Sequence, residues 1–162
     1  MIPGKWRLLW VSLAVLGLDI ATKILIVRTL PEYSSRSLIP GFLNLTHVQN
    51  RGVAFGLFNA LGSAGPMILV AAGLVALVVV VIYFKQTASQ DRLLLWALAL
   101  ILGGALGNLL DRMATGSVTD FIDVFWRSHH WHTFNVADSA ISVGIGLMLL
   151  DLLRGQSRGE SS

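Results

Sequence analysis

The sequence predicts an all-α membrane protein with four transmembrane helices. Only 13% of its 162 residues are charged, whereas 54% are hydrophobic and the mean hydropathy is +0.70. A soluble domain carries about 25% charged residues and, at this size, has too little interior to hide so much apolar side chain. The composition therefore excludes a soluble globular fold, a disordered chain, a collagen and a coiled coil. We expect one integral membrane domain, residues 1–162.

Four apolar segments are long enough to cross a bilayer, whose hydrocarbon core of about 30 Å needs about 20 helical residues. The clearest is Met67–Phe84, which carries no charge, and Leu93–Leu110 has Asn108 as its strongly polar member. We expect all four to be helices, because lipid leaves the edge of an open sheet without hydrogen-bond partners. The predicted spans are residues 8–27, 67–84, 93–110 and 134–153.

The first span is predicted to be a retained helix rather than a cleaved signal peptide. Asp19 and Lys23 occupy the region where a signal peptide has small residues, and no A-x-A cleavage site follows them. The short loop between the second and third spans carries Lys85 and Arg92, and basic residues in short loops favour the cytoplasmic side. We therefore expect both termini to be cytoplasmic.

Two longer segments, residues 28–66 and 111–133, then lie outside the cytoplasm. In residues 42–48 apolar and polar side chains mostly alternate after a turn signal at Pro40-Gly41, which predicts a short strand. The polar residues 155–162 are predicted to form a disordered tail.

The sequence contains no strong signal for a metal, a nucleotide or a nucleic acid. It has no cysteine, which excludes disulfides, thiolate metal sites and a cysteine nucleophile. The net charge is +3, but the basic residues are scattered and are better explained by membrane topology. Because no H-E-x-x-H motif is present, His129, His130 and His132 are weak zinc candidates and are better explained as interfacial loop residues. We expect no cofactor, no metal and no nucleic-acid partner.

Ionisable residues inside the spans need an explanation, because a charge at the bilayer centre costs about 2.5–3.5 kcal/mol on insertion scales. Asp19 and Lys23 are at positions i and i+4, so they share a helix face and can pair with each other. The pair either neutralises itself and fixes helix packing or takes a direct part in chemistry.

Polar residues also close the third span. Asp111 and Arg112 are most simply a structural ion pair that ends the helix, and Asn108, one turn earlier, can hydrogen-bond across helices. The glycine spacing in Gly103–Gly107 permits close helix packing.

Asp138 lies just inside the fourth span without a basic neighbour in the sequence, and Asp120 is the nearest external carboxylate that could approach it. Two carboxylates about 3 Å apart cannot both ionise, so one can take a proton from water while the other, protonated, polarises a scissile carbonyl. Alternatively, Asp138 only caps its helix, whose N-terminal dipole favours an anion. The spacing favours neither interpretation.

Five stretches of the chain have a recognisable pattern and order. They are Leu18–Lys23, Gln49–Phe55, Gly103–Arg112, Val118–Ile122 and Phe134–Ile141. Together they resemble the bacterial lipoprotein signal peptidases (signal peptidase II), a family of intramembrane aspartic endopeptidases. The stretches occur in the family's order, in a chain of the family's length, with four spans between them.

The resemblance implies that Asp120 and Asp138 form a catalytic dyad that activates water. It implies as substrate a prolipoprotein whose cysteine already carries diacylglycerol, cut just before that cysteine in the bacterial inner membrane. Five further residues match family positions that position the substrate or support the dyad: Asn50, Asn108, Asp111, Arg112 and Asn135.

The resemblance also implies a small extracytoplasmic β-cradle near residues 42–58 and a mobile periplasmic flap in residues 112–133. Asp19 and Lys23 match a structural pair in the first span. The active site would lie near the outer leaflet, where a substrate anchored by its lipid meets it at a high effective concentration. We expect the protein to act as a monomer in the lipid bilayer.

Two other classes of protein compete with a peptidase. A small transporter or proton-coupled channel would also bury Asp19, Lys23 and Asp138, but it predicts an internal repeat or broken helices, and the sequence indicates neither. A non-catalytic scaffold predicts that Asp120 and Asp138 can be exchanged for asparagine without loss of function.

Overall fold

The computed structural model describes residues 4–52 and 64–159. Part of the predicted cradle and the end of the Gln49–Phe55 stretch lie outside the described residues. The described part contains four helices that are long and apolar enough to cross a membrane. They are α1 (Leu9–Thr29), α2 (Ala64–Gln86), α3 (Arg92–Thr115) and α4 (Val136–Gly159), and a 3₁₀ turn at Gly4–Leu8 precedes α1.

The four helices overlap the four predicted spans, so the predicted membrane fold is confirmed. Helix α3 ends at Gly116, which adopts a left-handed conformation with a φ of 76° that glycine accepts without strain. The backbone of α4 is helical as far as Gly159, whereas the sequence predicts a disordered tail from residue 155. Residues 160–162 lie outside the described residues.

Helix α3 forms the centre of the bundle and packs against α1, α2 and α4. In its most apolar part 56% of the residues are buried, whereas the share in α2 is only 6%. Helix α2 therefore presents most of its surface to lipid. Helix α3 is the helix that can keep polar side chains away from the lipid.

Glycines let α1 and α4 approach α3 closely. A side chain at Gly107 would collide with the Asp19 carboxylate of α1, and one at Gly104 would collide with the backbone of Ala137 in α4. The close packing predicted at Gly103–Gly107 is confirmed. It brings the polar residues of α1 and the beginning of α4 against the same end of α3.

A small antiparallel sheet connects the helices at this end. Strand β2 confirms the strand predicted at residues 42–48, whereas the sequence predicted no strand in residues 111–133. The first four residues of the strand found there, 118–121, are all buried, so the alternation that reveals a half-buried strand is missing. The strands are β1 (Ser35–Ile39), β2 (Leu43–Asn50), β3 (Val118–Trp126) and β4 (His129–His130), in that order across the sheet.

The register of β2 against β3 positions the end of β2 beside an aspartate. Asn50 pairs with Val118, and Val48 pairs with Asp120, with a bulge between Leu45 and Val48. Side chains that are diagonal neighbours on one face of such a pair can touch. The Asn50 amide consequently reaches the Asp120 carboxylate.

Candidate active site

The beginning of α4 is held by a reciprocal pair of hydrogen bonds. The backbone N–H of Asp138 donates to Oδ1 of Asn135 at 2.9 Å, and the backbone N–H of Asn135 donates to Oδ2 of Asp138 at 3.2 Å. This is the geometry of a capping box, which satisfies N–H groups that an α-helix leaves free at its start. Asp138 is thus a cap, as one of the two interpretations of the sequence proposed.

Asp138 is more than a cap, because its other oxygen faces the bundle. Oδ1 accepts a hydrogen bond of 2.7 Å from the side-chain amide of Asn108, which belongs to α3. Asp138 is only half-buried, so its carboxylate is both fixed in position and accessible. Asp138 thus links α4 to α3 in addition to capping α4.

Asp120 is held on β3 by two amides from two other elements. Its Oδ1 accepts a hydrogen bond of 2.8 Å from Asn135, and its Oδ2 accepts one of 2.9 Å from Asn50 at the end of β2. Only 2% of the residue is exposed. Burial raises the pKa of Asp120 to about 6 against the lowering effect of the Asn50 hydrogen bond, and the charge of Asp138 adds to the rise.

Two asparagines link the two aspartates. The Asn135 amide donates to Asp120 and also to Oδ1 of Asn108 at 3.1 Å, and the Asn108 amide donates to Asp138. In the described part of the chain no hydrogen bond joins the two carboxyl groups directly. The aspartates are therefore coupled through neighbouring amides.

Lys23 lies buried behind this network and pairs with two carboxylates. Its Nζ is 2.8 Å from Oδ2 of Asp19, 3.2 Å from Oδ2 of Asp111 and 3.1 Å from Oδ1 of Asn108. Oδ1 of Asp19 accepts the backbone N–H of Ala137 at 2.9 Å, in the first turn of α4. The predicted Asp19–Lys23 pair is present, and it joins α1 to both α3 and α4.

The predicted ion pair between Asp111 and Arg112 is wrong. Asp111 instead pairs with Lys23 and accepts the backbone N–H of Thr119 at 2.8 Å, while Arg112 donates to the Asn108 carbonyl at 3.4 Å. Consecutive residues of a helix point in different directions, so Asp111 faces α1 whereas Arg112 turns toward α2. There Arg112 lines an apolar hollow of about 410 Å³ between α2 and α3.

A second row of hydrogen-bonded side chains lies beside the aspartates, and the sequence did not predict it. Gln49 donates to the Thr119 hydroxyl at 3.1 Å and accepts a hydrogen bond of 2.7 Å from the Ser117 hydroxyl. These contacts fix the end of β2 against β3, where Asn50 and Asp120 meet. Gln49 directly precedes the predicted site residue Asn50, and this adjacency was the signal in the sequence that could have indicated its role.

Both aspartates open into one cleft of about 620 Å³ beside α4. Its walls combine polar groups with aromatic and aliphatic side chains, and Val143, which is 55% exposed, lies in the wall farther along α4. The cleft is lined by Asn50, Asp120, Trp131, His132, Thr133, Phe134, Asp138, Ser139, Ser142 and Val143.

The histidine cluster has its own contacts. Nδ1 of His130 is 2.8 Å from Oδ1 of Asp123, and its ring stacks on Phe125 with the centroids 4.9 Å apart. His132 lines the cleft. Within residues 4–52 and 64–159, no group of three His, Cys, Asp or Glu residues is placed so that it could hold a metal ion.

Two solved structures share this fold, and both are described as bacterial membrane enzymes studied by the in meso method. The first is 32% identical with a TM-score of 0.82, covering 91% of this chain and 92% of that chain. The second is 31% identical with a TM-score of 0.83, covering 94% and 90%. With four apolar helices around a buried polar network, the chain is a membrane-embedded protein of this class.

Sequence comparisons define the family. The model of signal peptidase (SPase) II matches residues 11–154. The lipoprotein signal peptidase of Geobacter metallireducens is 43% identical over 95% of both chains, and that of Solibacter usitatus is 44% identical over 93% of this chain and 92% of its own. The chain belongs to the signal peptidase II family and is a peptidase of lipoprotein processing, which confirms the resemblance seen in the sequence.

Proposed function

We propose that this protein is an aspartic endopeptidase that removes the signal peptide from diacylglyceryl-modified prolipoproteins. The cut falls just before the lipidated cysteine, and Asp120 and Asp138 activate the attacking water. The observation that supports this most directly is that both carboxyl groups line one cleft and are held there by separate amides.

The different surroundings of the two aspartates suit different roles. Asp120 is buried and its pKa is raised to about 6, which favours it as the group that holds a proton. Asp138 is half-buried and accepts two hydrogen bonds, so its carboxyl group is held in position at the cleft, where water can reach it. In this assignment Asp138 is the base and Asp120 is the acid.

The reaction then needs only groups of this chain and one water molecule. Asp138 takes a proton from water as its oxygen attacks the scissile carbonyl carbon, while protonated Asp120 hydrogen-bonds to the carbonyl oxygen. When the tetrahedral intermediate collapses, the proton held by Asp138 passes to the leaving amine. The products are the signal peptide, with a new carboxyl group, and the lipidated polypeptide, with a new amino group.

The surrounding polar residues are proposed to keep this geometry. Asn50 and Asn135 hold Asp120, and Asn108 holds Asp138. Asp111 fixes the beginning of β3 through the Thr119 backbone. Arg112, on the opposite side of α3 beside an apolar hollow, is proposed to position the substrate.

The shape of the cleft fits a substrate that stays anchored in the bilayer. It extends from the two aspartates to the exposed Val143 on α4, so a peptide can enter from the side of the helix bundle. Holding the substrate in the plane of the membrane raises its effective concentration at the site. We place the enzyme in the bacterial inner membrane as a monomer, with both termini cytoplasmic and the cleft near the outer leaflet.

The decisive experiment compares wild type with Asp138→Asn on a diacylglyceryl-modified prolipoprotein, followed by gel shift. Asp151→Asn is the matched control, since it changes another aspartate of α4 that does not line the cleft. Cleavage should occur with wild type and the control but not with Asp138→Asn, which should stay folded. Near-normal cleavage by a folded Asp138→Asn enzyme would disprove the dyad.

A further inference from the structure

A second cavity, of about 450 Å³, lies at the other end of the helix bundle. The turn before α1 and the start of α3 form its walls, and Arg92 lies about 24 Å from Asn108 along α3 at roughly 1.5 Å per residue. None of its lining residues belongs to the active-site cleft. The cavity is lined by Gly4, Lys5, Arg7, Leu8, Ser89, Arg92, Leu95 and Trp96.

The walls of this cavity are fixed by packing. The Lys5 ammonium donates to the backbone carbonyls of Lys85 at 2.9 Å and Thr87 at 3.1 Å, which ties the N-terminal turn to the end of α2. Trp6, next in the chain, packs against the buried Phe84 with ring centroids 5.8 Å apart. These contacts hold the turn in a fixed position, so it forms an ordered wall of the cavity.

The described residues give the cavity a positive charge. None of its described lining residues is acidic, and the carboxylate nearest in sequence, Asp91, is not among them. In the described part of the chain the side chains of Arg7 and Arg92 have neither a hydrogen bond nor an ion pair. By contrast, the two cations near the active-site network both have partners: Lys23 pairs with carboxylates, and Arg112 donates to a backbone carbonyl.

Two free guanidinium groups in one cavity favour a phosphate ligand. A guanidinium presents parallel N–H donors that match phosphate oxygens, and its charge strengthens these hydrogen bonds. Trp96, which is 46% exposed, lies at the rim, and tryptophan is typical of the level of lipid headgroups. Basic pockets at the ends of membrane helices bind anionic headgroups in this way.

We propose that this cavity binds the headgroup of an anionic phospholipid, with its phosphate between Arg7 and Arg92 and its acyl chains along Leu8 and Trp96. The site is separate from the proposed catalytic cleft and does not depend on the assignment of the aspartates. Its role is to fix the depth and tilt of the bundle at the membrane surface away from the active site.

The test uses the full chain in phosphatidylcholine vesicles that contain traces of spin-labelled phosphatidylglycerol or spin-labelled phosphatidylcholine. The selectivity is the ratio of the two labels immobilised by the protein. We compare wild type with Arg7→Gln, Arg92→Gln and the double variant. The matched control is Arg154→Gln, which removes an exposed arginine from α4 at the same end but outside the cavity.

Wild type should select phosphatidylglycerol, and each cavity arginine should contribute about fivefold to that selectivity. Arg154→Gln should keep the selectivity. Equal losses in the control and in the cavity variants would overturn the proposal, because they would indicate a general attraction of basic residues. Cleavage of a prolipoprotein by each variant confirms that it is folded.

A second arm separates a lipid headgroup from free phosphate. The thermal unfolding midpoint is measured in pure phosphatidylcholine vesicles with inorganic phosphate, at an ionic strength matched with chloride, and in vesicles that contain phosphatidylglycerol. A rise with phosphatidylglycerol alone, lost in the double variant, supports the proposal. A rise of the same size with inorganic phosphate alone, also lost in that variant, would overturn it in favour of a soluble ligand.

Discussion

The two ends of α3 treat charge in opposite ways. At the end that begins with Asn108, Lys23 is 5% exposed and is surrounded by two carboxylates and an amide oxygen. At the other end Arg7 and Arg92 are exposed, and the described part of the chain offers their side chains no partner. A charge kept from water must be paired within the protein, whereas an interfacial charge can be met by water or lipid.

Substitutions should matter more at one end of α3 than at the other. At the paired end most polar side chains contact two or more others, so one change leaves a buried donor or acceptor without its partner. At the open end the side chains of Arg7 and Arg92 have no partner in the described part of the chain, and the loss of either should be tolerated. Changes at the two ends should therefore differ in both activity and stability.

The largest expected effect is on catalysis. Asp120→Asn should lower kcat/KM by about 10²–10⁴-fold, which is the contribution of a general acid or base. Asp123→Asn is the matched control, because it lies on the same strand and is also buried but does not line the cleft. The measurement is cleavage of a lipid-modified prolipoprotein over a range of substrate concentrations. Comparable losses in the two variants would mean that the strand, rather than the Asp120 carboxyl group, is what catalysis needs.

The next effect is on stability. Lys23→Met should lower the free energy of unfolding by about 3–5 kcal/mol, because it leaves the buried Asp19 and the half-buried Asp111 without their cation. Lys85→Met, at the exposed end of α2, should change it by less than about 0.5 kcal/mol. Denaturation in detergent micelles measures both. Equal stabilities of the two variants would contradict the distinction between the ends.

A smaller effect concerns pH. The pKa of Asp120 is raised from 3.8 to about 6, so between these values the folded state binds a proton that the unfolded state has lost. The free energy of unfolding should therefore fall as the pH rises through this window, by about 3 kcal/mol in all. Asp120→Asn should lack this contribution. Parallel curves of stability against pH for wild type and Asp120→Asn would show that the carboxyl group is not perturbed.

The helices and the main polar residues could be predicted because lipid makes both conspicuous. An apolar segment of sufficient length has few alternatives to a spanning helix, and a charge inside one stands out. Residues 8–27 and Asp19 were identified in this way, and the predicted pair with Lys23 is present. The catalytic role of Asp120 and Asp138 stays a prediction that rests on their shared cleft and on the family.

The partners of the remaining polar residues could not be predicted, because they depend on how the helices rotate against one another. Asp111 is adjacent to Arg112 in the sequence, yet it pairs with Lys23 from α1. Strand β3 was missed for a related reason. Its first four residues are all buried, so both faces of the strand are covered and their pattern carries no period of two.

The smallest expected effect is that of a metal chelator, and it tests whether the paired end is complete in itself. Lys23 and the asparagines bind the carboxyl groups of this end, and His130 is occupied by Asp123 and Phe125. Incubation with EDTA should therefore leave the initial rate of prolipoprotein cleavage unchanged, while Asp138→Asn abolishes it in the same assay. If EDTA inhibited the enzyme, zinc restored it and His130→Ala removed this response, the histidine cluster would be a metal site. A metal ion bound by these histidines would then be a further partner of the polar side chains at the paired end.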